Sequence, residues 1–149
     1  MSAAGVDRVA RASVDVDVPP ERLYALIVDF ESYPTFVPNQ SAARVLERPA
    51  PDRYVVAFEL QVARTLHYTL ELEGEPSRAL RWRLVEGDMM RRMEGGWTLE
   101  PLPEGGTRAT YEIVMDLEGF VPRTVYQALV DRTLPANVRA FKLEAERRG

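Results

Sequence analysis

The sequence predicts an α+β protein in which an antiparallel sheet of about seven strands lays one apolar face against a long C-terminal helix. Three observations predict it. Strand-like segments carry apolar residues at every second position, so each has one face to bury. A single long segment with apolar residues at helical spacing follows at the C-terminus and is the element available to cover that face. The inward positions are large and aromatic, with Tyr54, Phe58, Tyr68, Trp82, Trp97 and Tyr111 on or near the same side. A sheet presents such a lining when it encloses space for a small molecule.

The elements follow in order. Residues 1–7 are small and polar and are expected to fray. From Arg11 the chain alternates, with Ala12, Val14, Val16 and Val18 on one face and Arg11, Ser13, Asp15 and Asp17 on the other, a half-buried strand. Pro19 and Pro20 end it, and Pro20 fits the first turn of a short helix carrying Leu23, Tyr24, Leu26, Ile27 and Val28. A second short helix or turn spans 29–38, broken at Pro34 and Pro38. Strand character returns at 43–48, and Pro49, Pro51 and Asp52 make the hairpin connection.

The next strand places Tyr54, Val56, Phe58, Leu60 and Val62 on one face, and its partner places Leu66, Tyr68, Leu70 and Leu72 inward. After the turn at Pro76 and Ser77, Leu80, Trp82 and Leu84 face in while Arg81 and Arg83 face out. A long strand runs over 89–102, where the paired Gly95 and Gly96 predict a bulge or sharp bend. The last strand turns Ala109, Tyr111, Ile113, Met115 and Leu117 inward. The final helix spans about 121–147, with Val121, Val125 and Leu129 in one apolar row, Leu134, Val138 and Phe141 in another, and a kink expected at Pro135.

Composition narrows the function. A chain of 149 residues fits one domain with a substantial core. The net charge is −4, with Lys and Arg scattered among Asp and Glu. Nucleic acid, which needs a clustered basic face, is therefore not the expected partner. The chain has no cysteine, which removes disulfides, thiolate metal sites and cysteine nucleophiles, and one histidine, which removes multi-histidine metal sites. No apolar stretch reaches the ~18 residues of a membrane span, and the N-terminus lacks the pattern of a signal peptide, so the expected location is the cytoplasm.

Two separated blocks carry a family resemblance. The first runs over 18–38 and holds Val18, Pro19, Pro20, Glu21 and the run Tyr33, Pro34, Thr35, Phe36, Val37, Pro38; the second runs over 82–119 with Trp82, Gly96, Trp97, Gly105, Gly106, Thr107 and Tyr111. In these blocks, and in the order strand, two short helices, six strands, long helix, the sequence resembles the START-like, helix-grip superfamily. Within it the chain looks most like the polyketide cyclase/dehydrase, coenzyme Q-binding and lipid-transport group. The resemblance implies a curved antiparallel sheet gripping the C-terminal helix, with a ligand tunnel between them. Members that associate with ribosomes or carry quinone share the Tyr-Pro-x-Phe-x-Pro signature, and the acidic balance of this chain departs from the ribosome-associated ones.

Cavity lining is expected from Phe58, Leu60, Tyr68, Leu70, Trp82, Leu84, Arg91, Met93, Trp97, Tyr111, Ile113, Met115, Phe120, Val125, Leu129 and Phe141. Arg91 shares strand parity with Met93 and Trp97; it either meets a ligand carboxylate, phosphate or carbonyl at the mouth or snorkels to water. A vacant pocket of ~500 Å³ would cost ~12 kcal/mol, as much as a domain's net stability, so the pocket must be wet, partly collapsed or filled. His67, the pair Asp15 and Asp17, and the pair Glu71 and Glu73 alternate onto the outer face, where they are expected to be solvated and to pair with Arg81, Arg83, Arg92 and Arg108.

No catalytic constellation, metal site or cofactor is expected. The leading reading is a binder or carrier of an isoprenoid quinone, lipid or polyketide; the alternatives are an aromatase/cyclase acting on a poly-β-keto chain and a protein-interaction module.

Overall fold

The structure, a computed structural model, describes residues 8–61, 64–119 and 122–149, excepting the side chains of 8, 9, 125, 126, 129 and 130. The expected fraying of 1–7 and the positions of Val62, Phe120 and Val121 lie outside the described residues.

Strand β1 (Arg8–Val16) leads into α1 (Pro20–Ile27) and a 3₁₀ helix (Phe30–Thr35). Six strands follow: β2 (Gln40–Ala50), β3 (Arg53–Gln61), β4 (Thr65–Glu75), β5 (Ala79–Gly87), β6 (Met90–Pro101) and β7 (Thr107–Leu117). They form one seven-stranded antiparallel sheet in the order β1-β7-β6-β5-β4-β3-β2. Consecutive hairpins build β2 to β7, and β1 joins the last strand. The helical C-terminus is α2 (Arg123–Ala128), a π-helical turn (Leu129–Thr133) and α3 (Leu134–Arg148).

Alternation fixes the register. Tyr54, Val56 and Phe58 of β3 are buried and stand opposite Leu72, Leu70 and Tyr68 of β4, which are buried too. A slip of one residue would turn both rows to water. Helix α3 answers with Leu134, Val138, Phe141 and Ala145, while α1 buries Leu23, Tyr24, Leu26 and Ile27 behind Pro20 in its first turn. The Tyr33 hydroxyl donates to the Ile27 carbonyl, so the 3₁₀ helix is tied to the otherwise open end of α1.

Two expectations are corrected here. Gly95 and Gly96 form no bulge, since the ladder runs unbroken through Glu94↔Val114, Gly95↔Ile113 and Gly96↔Glu112. They permit close approach of strands instead: a Cβ on Gly95 would stand 2.1 Å from the Glu112 carbonyl oxygen. The irregularity in β6 lies between Met90 and Arg92. The terminal helix runs without a gap through α2, the π-helical turn and α3, and its irregularity lies ahead of Pro135 and not at it. Pro135 has no N–H for the carbonyl of Asp131 and its ring crowds that group, and the π-helical turn at Leu129–Thr133 takes up the mismatch ahead of it. Pro135 then sits in the first turn of α3, where it is tolerated.

Candidate functional site

Between the sheet and α3 lies a hollow of ≈ 80 Å³. Strands β3 to β7 supply Phe58, Tyr68, Leu70, Leu72, Leu80, Trp82, Met93, Trp97, Tyr111 and Ile113; α3 supplies Asn137 and Phe141. The 3₁₀ helix and the segment after it close the space with Phe30, Tyr33, Val37 and Gln40. None of these side chains is a carboxylate, an amine, a guanidinium or an imidazole.

The wall is a connected set of rings. Phe58 stacks on Tyr68 with centroids 5.3 Å apart, and Tyr33 lies 6.0 Å from Phe58 and meets Phe141 edge-on at 5.1 Å. On the other side Tyr111 meets Trp82 at 5.3 Å and Trp97 at 5.1 Å, and Trp97 closes the circuit to Phe141 at 5.2 Å. Such contacts add to simple area burial and hold the rings in defined orientations.

The polar groups in this wall are few. Gln40 Nε2 donates to the Glu59 carbonyl at 3.2 Å and to the Tyr68 hydroxyl oxygen at 3.4 Å. Desolvation pushes the Tyr68 hydroxyl up to about 12 against the opposing effect of the Gln40 hydrogen bond. Desolvation, reinforced by Tyr68, raises Tyr111 as well, and desolvation raises Tyr33. All three are protonated hydroxyls at neutral pH. Asn137 Oδ1 is buried with no hydrogen-bond partner.

At ~24 cal/mol per Å³ an empty hollow of ≈ 80 Å³ costs ~2 kcal/mol, which a folded domain tolerates. The expected pocket is thus partly collapsed: the rings fill most of the space that the curved sheet encloses.

The sequence matches the family described as polyketide cyclase / dehydrase and lipid transport over residues 16–142. The chain belongs to that family. Among curated relatives of the family member described here, the ribosome association toxin RatA of Escherichia coli is 28% identical over 130 residues, covering 85% of this chain and 79% of the relative. RatA of Vibrio cholerae is 21% identical over 93% of this chain and 95% of the relative. Among solved structures, the Zhui aromatase/cyclase of a Streptomyces species superposes with a TM-score of 0.85 at 22% identity, covering 95% of both chains. A START superfamily protein of Mycobacterium smegmatis gives 0.82 at 18% identity, over 95% of this chain and 99% of that one. The fold of this polyketide cyclase / dehydrase and lipid transport family member is the START-like helix-grip fold.

Of the lining residues expected from sequence, Phe58, Tyr68, Leu70, Trp82, Met93, Trp97, Tyr111, Ile113 and Phe141 surround the hollow. Leu60, Leu84 and Met115 are partly buried against the core and stand outside its lining. Phe120 and the side chains of Val125 and Leu129 lie outside the described residues. Arg91 does not face the hollow. The irregularity between Met90 and Arg92 resets the alternation, so Met90 and Met93 both point in with two exposed arginines between them. Arg91 instead grips Asp116, its Nε 3.2 Å from Oδ2 and its Nη2 3.1 Å from Oδ1.

Sequence reasoning about this family member passed over Phe30, Tyr33, Val37, Gln40, Leu72, Leu80 and Asn137 as lining. The Tyr33 to Pro38 motif was visible, but Tyr33 reaches the site only because the 3₁₀ helix folds back so that its ring meets Phe58 of β3. For Asn137 a signal existed: it lies three residues after Leu134 and four before Phe141, on the same helical face.

The outer face is exposed as its alternation implies, and Arg83 and Arg108 meet the carboxylates expected of them while Arg81 and Arg92 reach others. Arg83 pairs with Glu71 at 2.8 Å and Arg108 with Asp15 at 2.9 Å, while Arg81 reaches Glu75 and Arg92 reaches Glu94. His67 is exposed between Glu59 and Asp88, each 3.3 Å away, and lies on the face of β4 opposite to its neighbour Tyr68. Among the described residues no group of three or more His, Asp or Glu side chains is placed to hold a metal, and no helix is long and apolar enough to cross a membrane.

Proposed function

We propose that this protein binds and carries a hydrophobic small molecule, an isoprenoid quinone, lipid or polyketide, between the sheet and α3. The whole chain serves as one ligand-binding domain working in the cytoplasm. The observation that carries this reading is the hollow of ≈ 80 Å³ walled by rings and free of charged side chains. Membership of a lipid-transport and polyketide cyclase family supports it.

A drug-sized guest needs roughly 300 Å³ or more, so binding is accompanied by widening of the hollow. The π-helical turn at Leu129–Thr133 interrupts the regular helical hydrogen bonding between α2 and α3, which makes it the cheapest place for that movement. Burying ten methylenes of a guest yields a gross ~8 kcal/mol against an association cost of at least ~4, enough for moderate affinity after the rings have shifted.

The test is extraction of purified protein followed by mass spectrometry, with titration of quinones, fatty acids and aromatic polyketides. A co-purifying apolar guest or saturable binding is expected. No guest and no binding across those panels would overturn the reading.

The second reading is a polyketide aromatase/cyclase, favoured by the protonated hydroxyls of Tyr68 and Tyr111 in the ring wall. In that role they would donate to substrate carbonyls as charge develops there during ring closure, while the wall holds a folded chain. Unchanged products when the protein is added to a reactive poly-β-keto chain would remove it. A docking role like that suggested by the name of the RatA relatives finds less support, since the outer face is laced with opposite charges instead of a single-signed patch.

A further inference from the structure

The polar groups of the hollow are unequally matched. Asn137 lines it, and the Oδ1 of that residue is buried with no donor. The Tyr68 oxygen already accepts from Gln40 Nε2 at 3.4 Å, which leaves its proton for another acceptor, and the Tyr111 hydroxyl lines the same hollow. Neither proton is lost near neutral pH. The lining contains no charged side chain to compensate a buried ion. A ligand that is an acceptor only, such as a ketone, ether or quinone, satisfies the tyrosines and leaves the asparagine oxygen stranded. A carboxylate meets no cation. A neutral group that both donates and accepts is matched to the three, and the surrounding wall of rings favours one carried on a flat ring.

We propose that the buried part of the ligand is a neutral hydroxyl on an unsaturated ring, a phenol or hydroquinone, and that Asn137 Oδ1 selects it over its ether, ketone or quinone counterpart by taking its proton in a hydrogen bond. This inference rests on the ligand-binding reading above. Asn137 is then a specificity-determining residue, and Tyr68 and Tyr111 donate to ligand oxygens without distinguishing the two forms. The physical source of the selection is the cost of leaving a buried acceptor unpaired.

The matched probes are phenol and anisole, which differ by a methyl group in place of the hydroxyl proton. The chain has two tryptophans, Trp82 and Trp97, and both line the hollow, so their indole N–H signals in NMR titrations report binding there directly. Phenol is expected to bind at least ~10-fold tighter than anisole to the wild-type protein. In Asn137→Leu, which removes the acceptor, the ratio is expected to fall to about one while anisole binds as well as before or better. Should that variant fail to fold, Asn137→Ala removes the same acceptor with a smaller side chain and is expected to bring the ratio to about one as well.

Equal affinities for the wild type, as when water already satisfies Asn137, overturn the inference and leave the ligand-binding reading standing. Tighter binding of anisole, or a phenol preference that survives in Asn137→Leu, overturns it as well. If neither probe moves an indole signal, the inference is overturned, while the ligand-binding reading stands or falls on its own panel of quinones, fatty acids and aromatic polyketides.

Discussion

Trp97 of β6 and Phe141 of α3 meet edge to face, their centroids 5.2 Å apart and their planes at 68°, and this contact joins the sheet to the helix across the hollow. Phe141 also touches Tyr33 and Phe36, both at 5.1 Å. One side chain therefore holds three parts of the wall together.

Replacing Phe141 by Ala is expected to cost ~3–5 kcal/mol, the usual range for a buried aromatic ring, and to enlarge the hollow. Denaturant unfolding checks the first consequence. Titration with apolar ligands checks the second: guests too large for the wild type are expected to bind the variant more readily, provided it remains folded.

Gly95→Ala is expected to destabilise by ~1–3 kcal/mol or more, because the new methyl would stand 2.1 Å from the backbone oxygen of Glu112 and the strands must part. Gly74→Ala offers the contrast. There the nearest atom, at 2.0 Å, is the hydroxyl end of the Tyr24 side chain, which yields more readily than a paired backbone although the ring is buried. Thermal melts of the two variants should rank Gly95→Ala as the more damaging.

The buried tyrosines set the behaviour in alkali. Tyr68 ionises near 10 in the unfolded chain and at about 12 in the folded one, because desolvation disfavours the phenolate. A folded-state pKa raised above the unfolded value means stability that is complete below the unfolded pKa and is lost as pH rises through the folded one. The protein is thus expected to lose ~2–3 kcal/mol through Tyr68 between pH ~10 and ~12, and Tyr68→Phe to flatten that part of the stability profile.

In acid the sign reverses. Hydrogen bonds from Arg147 at 2.6 Å and Arg148 at 2.8 Å lower the Glu144 carboxyl from 4.5 to about 2. A depressed folded-state pKa contributes stability above the unfolded value that is lost as pH falls through the folded one. Glu144→Gln is expected to remove its share of the stability loss between pH 4.5 and 2 and to make the transition there less dependent on salt.

Arg91→Ala is expected to leave ligand affinity unchanged, since the Arg91 guanidinium holds Asp116 on the exposed side of the sheet. Because the Asp116 side chain is only 14% exposed, losing this partner is expected to cost more than breaking a surface ion pair, ~1–3 kcal/mol. A weakened affinity in titration would mean that Arg91 reaches the ligand after all.

Much of this arrangement was written in local chemistry. The alternation of Tyr54, Val56 and Phe58 against Tyr68, Leu70 and Leu72 determines both that these segments are strands and which side of each meets the core, because a strand's side chains change face at every residue. The spacing of Leu134, Val138 and Phe141 does the same for α3. The outward placing of His67, Glu71 and Arg83 follows from the same parity.

What parity cannot carry is any break in it. By parity Arg91 shares a face with Met93, and only the pairing of β6 with β7 reveals the irregularity that turns it out. Nor does a residue's neighbour list reside in its own segment: Tyr33, Gln40 and Asn137 come together from a 3₁₀ helix, a strand start and a terminal helix far apart in the chain. The size of the hollow was likewise decided by how the rings of distant strands interlock, and it came out far smaller than a curved sheet under one helix implies. Face and period are properties of the local backbone and so belong to the sequence; distance across the core is a property of packing, and the tertiary structure alone settles it.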